Sequence, residues 1–375
     1  MTTRPHGMRF LVRRDALAET RLESIDVDAP PRPGAVRVRI EHFAFTANNI
    51  TYAKFGAAMH YWRFFPAGDG WGCIPVWGFG SVEASAAEGV AAGERLYGYW
   101  PMASHAVLHP AAVGRSGFSD GSAHRADLPA VYNRYQRVAA VAGHDPAHEG
   151  EYALLQPLFA TAWLIDDLFA EARDFGARSV LLSSASSKTA YATAFCMAHR
   201  AQAGQGHARI VGLTSPLRMA FARGLGVYDE LIEYGAIERL GIDEPLAYVD
   251  FAGDAALRRA VHERFAARLA YSCSVGGTHH EALGSARALP GPKPELFFAP
   301  ARMQQRSAAP PQGPGRDALL AAMGATWREF LARVTRPDAP WLVVETHRGA
   351  DAVREAYLQT LHGRGDPQRG LLLGL

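Results

Sequence analysis

The sequence predicts an α/β protein with two domains: a compact β domain, followed by a domain with a parallel sheet that has helices on both faces. Three observations lead to this prediction. The chain has 375 residues, which exceeds the size at which one hydrophobic core stops growing. In its first part, apolar and polar residues alternate over short segments. In its second part, strand-like segments alternate with helix-like segments.

The β domain is predicted from short strands separated by turns. Residues 34–45, GAVRVRIEHFAF, give the clearest signal, because valine and isoleucine alternate there with charged residues. Further strands are predicted at 80–84, 95–99 and 105–108. The intervening segment 51–80 is crowded with aromatic residues and glycines, so we predict a loop with large side chains to bury.

The second part of the chain alternates strands and helices, which is typical of a parallel sheet. A helix is predicted at 151–175 before the first strand. The predicted strands are 179–183, 208–213, 230–233, 246–251, 269–274 and 295–298, and the predicted helices between them are 190–200, 216–224 and 255–266. Residues 299–316 are rich in Pro, Gly and Gln and are predicted to form an exposed loop. A long helix, a strand at 339–348, a helix at 350–361 and a terminal strand at 370–375 complete the prediction.

Composition argues against several partners and compartments. The 39 Lys and Arg residues nearly balance the 37 Asp and Glu residues, and no basic cluster is evident, so we expect no nucleic-acid or membrane partner. The three cysteines, Cys73, Cys196 and Cys273, are far apart, which fits a reducing compartment better than a disulfide framework. The sequence contains no apolar segment typical of a signal peptide or a membrane span. We therefore expect a cytoplasmic protein.

The turn at residues 183–190, SSASSKTA, follows a buried strand and precedes a helix, where α/β proteins bind anions. Lys188 and Thr189 imitate the end of a Walker A loop, but Leu182 and Ser187 stand at its two glycine positions. A dinucleotide-binding turn is a second interpretation, with small residues Ser184, Ser187 and Ala190 at the required spacing. An ordinary turn with a capping serine is the third. These residues alone leave all three open.

The end of the second predicted strand favours a dinucleotide that carries a 2′-phosphate. No Asp or Glu stands there to bind a ribose 2′-hydroxyl group. Thr214, Ser215 and Arg218 occupy this place instead. Hydroxyl groups and a cation suit a 2′-phosphate, so NADP(H) is favoured over NAD(H), although Arg218 could also be a solvated helix residue.

The order of these segments resembles the medium-chain dehydrogenase/reductase superfamily, especially its zinc-free quinone oxidoreductase and enoyl reductase branch. The resemblance covers most of the chain. It rests on the strand and substrate loop GAVRVRIEHFAFTANNITYAKFG, the β-domain segment IPVWGFGSVEASAAEGVAAGERLYGYWPMASHAVLHP, the helix FATAWLIDDL, the turn SSASSKTA, the segment TSPLRMAFARGLGVYDELIEY, the strand ends YVDFAGD and RLAYSCSVGG, and the C-terminal GADAVREAYLQTLHGR and GLLLGL. In the turn, serines replace the glycines that are usual in the family.

This resemblance implies a fold, a cofactor and an assembly. It implies a GroES-like substrate domain formed by residues 1–145 and 337–375, and a Rossmann-type domain formed by residues 146–336 that binds NADP(H). It also implies a homodimer through edge strands of the cofactor sheets near 269–274 and 295–298.

No zinc site is expected. The superfamily's zinc alcohol dehydrogenases need cysteines at both of their zinc sites, and this chain has only three, all isolated. The pair His144 and His148, followed by Glu149, has helical ligand spacing, and the run at 279–281 combines two histidines with a glutamate. Without a third convergent ligand, surface or loop histidines are the favoured interpretation of both.

We predict three groups of site residues. Without a metal, the substrate oxygen needs a hydrogen-bond donor and a proton. The enoyl reductases that the chain resembles use a tyrosine shortly after a loop glycine, which implies Tyr61, five residues after Gly56, as the donor, with Tyr52 second and Asn48 and Asn49 as further donors. The predicted lining of an apolar substrate pocket is Phe64, Phe65, Trp71 and Trp77. The predicted cofactor residues at the phosphates are Ser184, Ser187, Lys188 and Thr189. The resemblance implies Thr214, Ser215, Arg218 and Tyr234 around the 2′-phosphate, and Gly253, Ser274, Val275 and Gly276 are predicted at the nicotinamide half.

Together these features predict a zinc-independent, NADPH-dependent oxidoreductase. It would transfer hydride to an activated C=C or C=O bond of a small apolar enone, quinone or enoyl thioester, in a cleft between the two domains. The alternative from another class is a non-catalytic member of the fold that binds NADPH or a metabolite as a sensor or accessory factor.

Overall fold

The structure of the chain is a computed structural model that describes residues 7–141, 144–206, 208–275 and 289–375. The chain divides into two compact units. The β unit comprises Met1–Leu154 and Val343–Leu375, and the α/β unit comprises Leu155–Leu342. Among the described residues the β unit has two sheets and the α/β unit has one, and each unit has its own cluster of buried apolar residues.

The described strands and helices follow one another along the chain in this way. The strands are β1 (Gly7–Arg13), β2 (Thr20–Ile25), β3 (Val36–Phe45), β4 (Trp71–Gly72), β5 (Pro75–Ser85), β6 (Arg95–Pro101), β7 (His105–Leu108), β8 (Pro110–Gly114), β9 (Gly117–Asp120), β10 (Arg134–Arg137), β11 (Ser179–Leu182), β12 (Arg209–Thr214), β13 (Glu230–Glu233), β14 (Leu246–Asp250), β15 (Leu269–Val275), β16 (Glu295–Phe297), β17 (Val343–Arg348) and β18 (Arg369–Gly374). The α-helices are α1 (Ala47–Lys54), α2 (Ala130–Asn133), α3 (Glu149–Glu171), α4 (Lys188–Gln202), α5 (Met219–Leu225), α6 (Ala255–Phe265), α7 (Ala299–Arg306), α8 (Arg316–Val334) and α9 (Ala350–Leu361).

The β unit contains a large, mostly antiparallel sheet in the order β17-β18-β3-β5-β6-β10-β9-β8, with β7 also paired to β3. A smaller sheet has the order β2-β1-β4. The predicted alternation in β3 is confirmed, because Val36, Val38 and Ile40 are buried and Arg39 is exposed. The predicted loop at 51–80 is partly wrong: α1 extends into it, and β5 begins at Pro75.

Two glycines in β5 allow the close approach of neighbouring strands. A Cβ atom on Gly78 would lie 2.2 Å from the backbone oxygen of His42, and one on Gly80 would lie 2.9 Å from that of Arg39. The Gly78 carbonyl also accepts a hydrogen bond from the buried Trp100 indole N–H at 2.9 Å. The pairing of β5 with β3 therefore depends on the missing side chain at Gly78.

The α/β unit contains six parallel strands in the order β13-β12-β11-β14-β15-β16. Counted from β11, this is the order 3-2-1-4-5-6 of dinucleotide-binding folds. The chain crosses the sheet in one direction from β11 to β13 and in the other from β14 to β16. Because such crossovers are right-handed, their helices lie on opposite faces of the sheet, which confirms the predicted doubly wound domain.

Two predictions about this unit are wrong. Residues 269–274 were expected at a sheet edge, but β15 pairs with β14 on one side and β16 on the other, so β16 forms that edge of the described sheet. Residues 299–316 were expected to form a loop, but their first half forms α7. The physical reason is a set of ion pairs: Arg302 and Arg306, one turn apart on α7, both bind Asp167 and Glu171 of α3.

One helix among the described residues is long and apolar enough to cross a membrane by these two criteria alone. It spans Pro146–Glu171, and 56% of its most apolar window is buried inside the protein. A buried core helix has the same length and composition.

Candidate functional site

The turn between β11 and α4 has the geometry of an anion-binding turn. Ser184 has a left-handed backbone with φ of 53°, and the N–H group of Ser187 donates to its carbonyl oxygen at 2.7 Å. Ser187 is the N-cap of the 15-residue helix α4, and its hydroxyl group accepts from the N–H group of Ala190 at 3.4 Å. The turn therefore lies at the positive end of a helix, at the carboxyl edge of the parallel sheet.

Neighbouring strands hold this turn in place. The Ala185 N–H group donates to the Leu213 carbonyl oxygen at 2.9 Å, and the Tyr228 hydroxyl group donates to the Ala185 carbonyl oxygen at 2.7 Å. Burial raises the pKa of Tyr234, and hydrogen bonding to Ser184 partly opposes this effect. A Cβ atom on Gly212 would lie 2.8 Å from that of Ala185, so a glycine in β12 provides the room that glycine-rich turns usually provide themselves.

The four residues predicted at the phosphates come together in this turn. Ser184, Ser187, Lys188 and Thr189 are all half-buried, and the last two begin α4. The Thr189 carbonyl oxygen accepts from the Thr193 hydroxyl group at 2.9 Å. Hydroxyl groups, a lysine and the first N–H groups of a helix thus share one short segment, which suits a pyrophosphate.

The residues predicted to bind a 2′-phosphate lie at the carboxyl end of β12. Thr214 is 1% exposed, and its hydroxyl group has no hydrogen-bond partner among the described residues. Ser215 and Arg218 are half-buried; Ser215 precedes a short 3₁₀ turn, and Arg218 is the last residue of that turn. Leu217 in the same turn is 81% exposed. Sequence analysis missed this leucine, because an apolar residue in an amphipathic segment gives no sign that it faces solvent.

A buried polar network lies where the sheet changes direction, between β11 and β14. Asp250, at the end of β14, is 1% exposed and forms an ion pair with Arg258 of α6, with Oδ2 2.8 Å from Nη2. Its other oxygen accepts from the Ser183 hydroxyl group at 2.9 Å. Sequence analysis missed these three residues, although a carboxylate that ends a fully apolar strand is a signal that could have identified Asp250.

The residues predicted at the nicotinamide half lie at the ends of β14 and β15. Gly253 has φ of 65°, and its N–H group donates to Asp250 at 3.0 Å. Ser274 pairs in register with Asp250, and Val275 ends β15; both are half-buried. Gly276 lies outside the described residues.

The β unit contains a second feature, a tyrosine cluster formed by Tyr52, Tyr61, Phe64, Tyr99, Leu128 and Tyr132. The rings of Tyr52 and Tyr61 have centroids 4.4 Å apart, and those of Tyr99 and Tyr132 are 4.7 Å apart. The structure thus brings together both predicted tyrosine donors and Phe64, and it adds two tyrosines that sequence analysis missed. Tyr99 lies in β6 and Tyr132 in α2, 38 or more residues after Tyr61 in the sequence, so no local pattern connects them.

Burial controls the chemistry of this cluster. Burial raises the pKa of Tyr61 and of Tyr52, and in Tyr52 hydrogen bonding to neighbours that include Asn48 opposes the effect. These phenols therefore remain protonated near neutral pH and can donate hydrogen bonds. The hydroxyl group of Tyr99 and the indole N–H group of Trp77 are buried without a geometrically acceptable partner among the described residues. Such groups are costly unless something accepts from them.

The remaining predicted residues of the β unit have other surroundings. Asn49 is 4% exposed; its oxygen accepts from the Thr46 N–H group at 2.8 Å, and its amide donates to the Pro75 carbonyl oxygen at 3.0 Å. Its oxygen therefore caps the start of α1, and its amide group ties α1 to the first residue of β5. Trp71 lies against the guanidinium of Arg21, 4.5 Å from the ring centroid, and is not part of the tyrosine cluster.

A cavity of about 290 Å³ lies within the β unit, and Phe64 and Phe65 are the two predicted pocket residues that line it. Arg125, also in its lining, is 2% exposed and pairs with Asp120 at 3.0 Å. The guanidinium lies 4.5 Å from the Phe65 ring centroid. Trp77 is instead packed on the tyrosine cluster, 5.0 Å from the ring of Tyr99.

Among the residues that the structure describes, no group of three His, Cys, Asp or Glu side chains could hold a metal ion. His144 pairs with Glu149 at 2.7 Å, and Glu149 is also bound by Arg95 at 2.7 Å. The histidines and glutamate at 279–281 lie outside the described residues. The absence of a zinc site stays a prediction.

Comparisons with known proteins agree with this architecture. A family model described as "Protein of unknown function (DUF2855)" matches residues 43–366. No curated protein matches the sequence significantly. The structure is similar to the CurK enoyl reductase, with 12% identity, 99% of each chain covered and a TM-score of 0.58. It is also similar to CurA from Vibrio vulnificus in complex with NADPH, with 14% identity, 98% of each chain covered and a TM-score of 0.57.

A third similar structure is the yhdH oxidoreductase from Salmonella enterica in complex with NADP, with 14% identity, 98% of this chain and 99% of that chain covered and a TM-score of 0.52. At these identities the similarity concerns the fold, and it confirms the fold expected from the resemblance to medium-chain dehydrogenases/reductases. The family model covers most of the chain, from β3 to the residues before β18. The chain therefore belongs to the DUF2855 family, with the two-domain fold of the medium-chain dehydrogenase/reductase superfamily.

Proposed function

We propose that this protein is an NADPH-dependent oxidoreductase that reduces an activated C=C or C=O bond of a small apolar substrate without zinc. The observation that carries the proposal is the serine turn at the N terminus of α4, at the point where the 3-2-1-4-5-6 sheet changes direction. Two of the similar structures were solved with NADPH or NADP, which supports the choice of cofactor.

The residues of the α/β unit fit this cofactor. Ser184, Ser187 and Lys188 would hold the pyrophosphate, together with the first N–H groups of α4. Arg218 and Ser215 would hold the 2′-phosphate. The unpartnered Thr214 hydroxyl group at the same strand end fits a site for a polar ligand.

When bound, NADPH supplies a hydride, and the chain must then stabilise negative charge on the substrate oxygen and provide a proton. The tyrosine cluster has groups suited to both tasks. Tyr61 is the proposed proton donor and Tyr52 the second candidate, and their neutral phenols are hydrogen-bond donors at physiological pH. The cleft between the domains remains the predicted place of this reaction.

We also propose a cytoplasmic homodimer. The edge strand β16 is a candidate for pairing with a second copy, because in the described sheet only its β15 side is paired and its Leu296 side chain is 37% exposed. An apolar enone, quinone or enoyl thioester is the proposed substrate class, because the tyrosine cluster and Trp77 offer mainly aromatic surface.

The test is the consumption of NADPH, followed by its absorbance, with a panel of quinones, enones and enoyl thioesters. The proposal expects turnover with at least one member and less with NADH. If the protein binds NADPH tightly but consumes it with no compound of the panel, that result would contradict the proposed enzymatic function and favour a sensor.

Variants test the assignment of the 2′-phosphate. Arg218→Ala should weaken the binding of NADPH about tenfold and leave the binding of NADH almost unchanged, because only NADPH has the charged 2′-phosphate. Lys188→Ala should weaken the binding of both dinucleotides, because both have a pyrophosphate. Arg223→Ala is the matched control, since Arg223 is an exposed arginine of the neighbouring helix α5. Equal losses of NADPH and NADH in Arg218→Ala would contradict the assignment.

A further inference from the structure

The buried ion pair between Asp250 and Arg258 has more hydrogen bonds than a simple salt bridge needs. Arg258 is 2% exposed, and its Nε and Nη2 groups donate to one carboxylate oxygen of Asp250 at 2.9 and 2.8 Å. The other carboxylate oxygen accepts from the Ser183 hydroxyl group at 2.9 Å and from the N–H groups of Ala252 and Gly253, both at 3.0 Å. Both oxygens of Asp250 are thus fully engaged.

Ser183 connects this carboxylate to the turn that precedes α4. Its side chain is fully buried, and its hydroxyl oxygen accepts from the N–H groups of Phe251 and Ala252 at 2.8 and 3.0 Å. The next residue along the chain is Ser184, the left-handed residue of the serine turn. One serine therefore ties the loop at 251–253 to the proposed phosphate turn.

The location of the network indicates what the network does. A buried ion pair contributes little net stability, because removing two charges from water costs about as much as their attraction returns. The pair does fix the positions of the groups around it, because all the hydrogen bonds of the buried network form together in only one arrangement. Here the fixed backbone lies between β11 and β14, which is the crevice where such sheets bind their ligands.

We infer that Ser183, Asp250 and Arg258 form a positioning unit that holds the loop at 251–253 for the nicotinamide half of the dinucleotide. This inference rests on the proposed function. None of the three side chains needs to touch the ligand: they act through the backbone of Phe251, Ala252 and Gly253. The unit therefore contributes to binding of the nicotinamide half and not to binding of the adenosine half, which lies toward β12.

The test compares two ligands and two serines. Ser183→Ala removes the bridging hydroxyl group with the smallest change of volume. Ser179→Ala is the matched control, because Ser179 is also fully buried in β11 but donates to Glu244, at the opposite end of the strand. Binding of NADPH and of adenosine 2′,5′-bisphosphate, which lacks the nicotinamide half, is measured by calorimetry for the full chain and both variants.

The inference expects Ser183→Ala to raise the Kd for NADPH about tenfold and to leave the Kd for adenosine 2′,5′-bisphosphate unchanged, with no change for Ser179→Ala. Equal weakening of both ligands, or unchanged NADPH binding, would overturn it. Should Ser183→Ala fail to fold, Asp250→Asn is measured in the same way with the same expectation. If the unmodified chain binds neither ligand, the proposed function fails first, and that result differs from failure of the inference alone.

Discussion

At the residue scale, Ser184 shows how a turn without glycines can still take a glycine-like conformation. Its φ of 53° lies in the left-handed region, which costs an L-residue about 1–2 kcal/mol relative to glycine. Hydrogen bonding to Tyr234 and a hydrogen bond from the Ser187 N–H group in the following turn hold it there. The usual glycine pattern is absent from the sequence, yet the backbone requirement behind that pattern remains.

Ser184→Gly should therefore stabilise the protein. We expect its free energy of unfolding to rise by about 1 kcal/mol, because glycine adopts this φ without steric cost. The measurement is chemical unfolding of both forms, monitored by circular dichroism. Ser184→Ala is the control, since it removes the same hydroxyl group but keeps a Cβ atom; equal stabilisation by alanine would show that φ is not the cause.

Tyr61 provides the second test at this scale. Burial raises the pKa of its phenol, so it can act as a proton donor near neutral pH. Once a substrate is known, Tyr61→Phe should lower kcat about a hundredfold with little change in the KM for NADPH. The control is Tyr357→Phe, because Tyr357 is another buried tyrosine of the β unit, with its hydroxyl group bound to the Leu17 carbonyl oxygen. A kcat unchanged in Tyr61→Phe would remove this tyrosine from the mechanism.

At the element scale, periodicity predicted the elements that bury an apolar face and missed those held by charges. The strands β11 and β14 agree with prediction to within a residue or two, because each is a short apolar run. The helix α7 was missed, because its stability comes from Arg302 and Arg306 binding carboxylates more than a hundred residues away. No pattern within the α7 segment contains that information.

Gly78 allows a test of strand packing. Gly78→Ala should destabilise the β unit by at least about 2 kcal/mol, because its Cβ atom would meet the backbone of β3 and one of the strands would have to shift. Thermal unfolding measures the effect. Gly235→Ala is the control, since no atom lies within 4 Å of a Cβ atom placed there. A Gly78→Ala protein as stable as this control would contradict the described register of β3 and β5.

At the scale of the whole molecule, the sequence predicted the two-part architecture but only part of the candidate site. The alternation of strands and helices is a local signal, and it implied the doubly wound sheet. The tyrosine cluster and the Asp250 network join residues from distant segments, so they required the folded chain. The sequence shows each of these residues, but it does not show which of them come into contact.

The protein should lose stability as the pH falls below about 6.5. Burial lowers the pKa of His42, His105 and His262. On acidification the unfolded chain therefore binds protons at these histidines before the folded chain does. The stability from their neutral forms is present above the ordinary histidine pKa of about 6.5 and is lost below it. We expect a lower unfolding temperature at pH 5.5 than at pH 7.5, and a smaller difference in His105→Gln. An unfolding temperature that rises on acidification would contradict this assignment.

The central claim is that this chain binds NADPH through its serine turn. Its most direct test is titration of the purified protein with NADPH, monitored by the fluorescence of the dinucleotide. We predict saturable binding that is tighter than that of NADH and is weakened by Lys188→Ala. No binding up to millimolar NADPH would contradict the account.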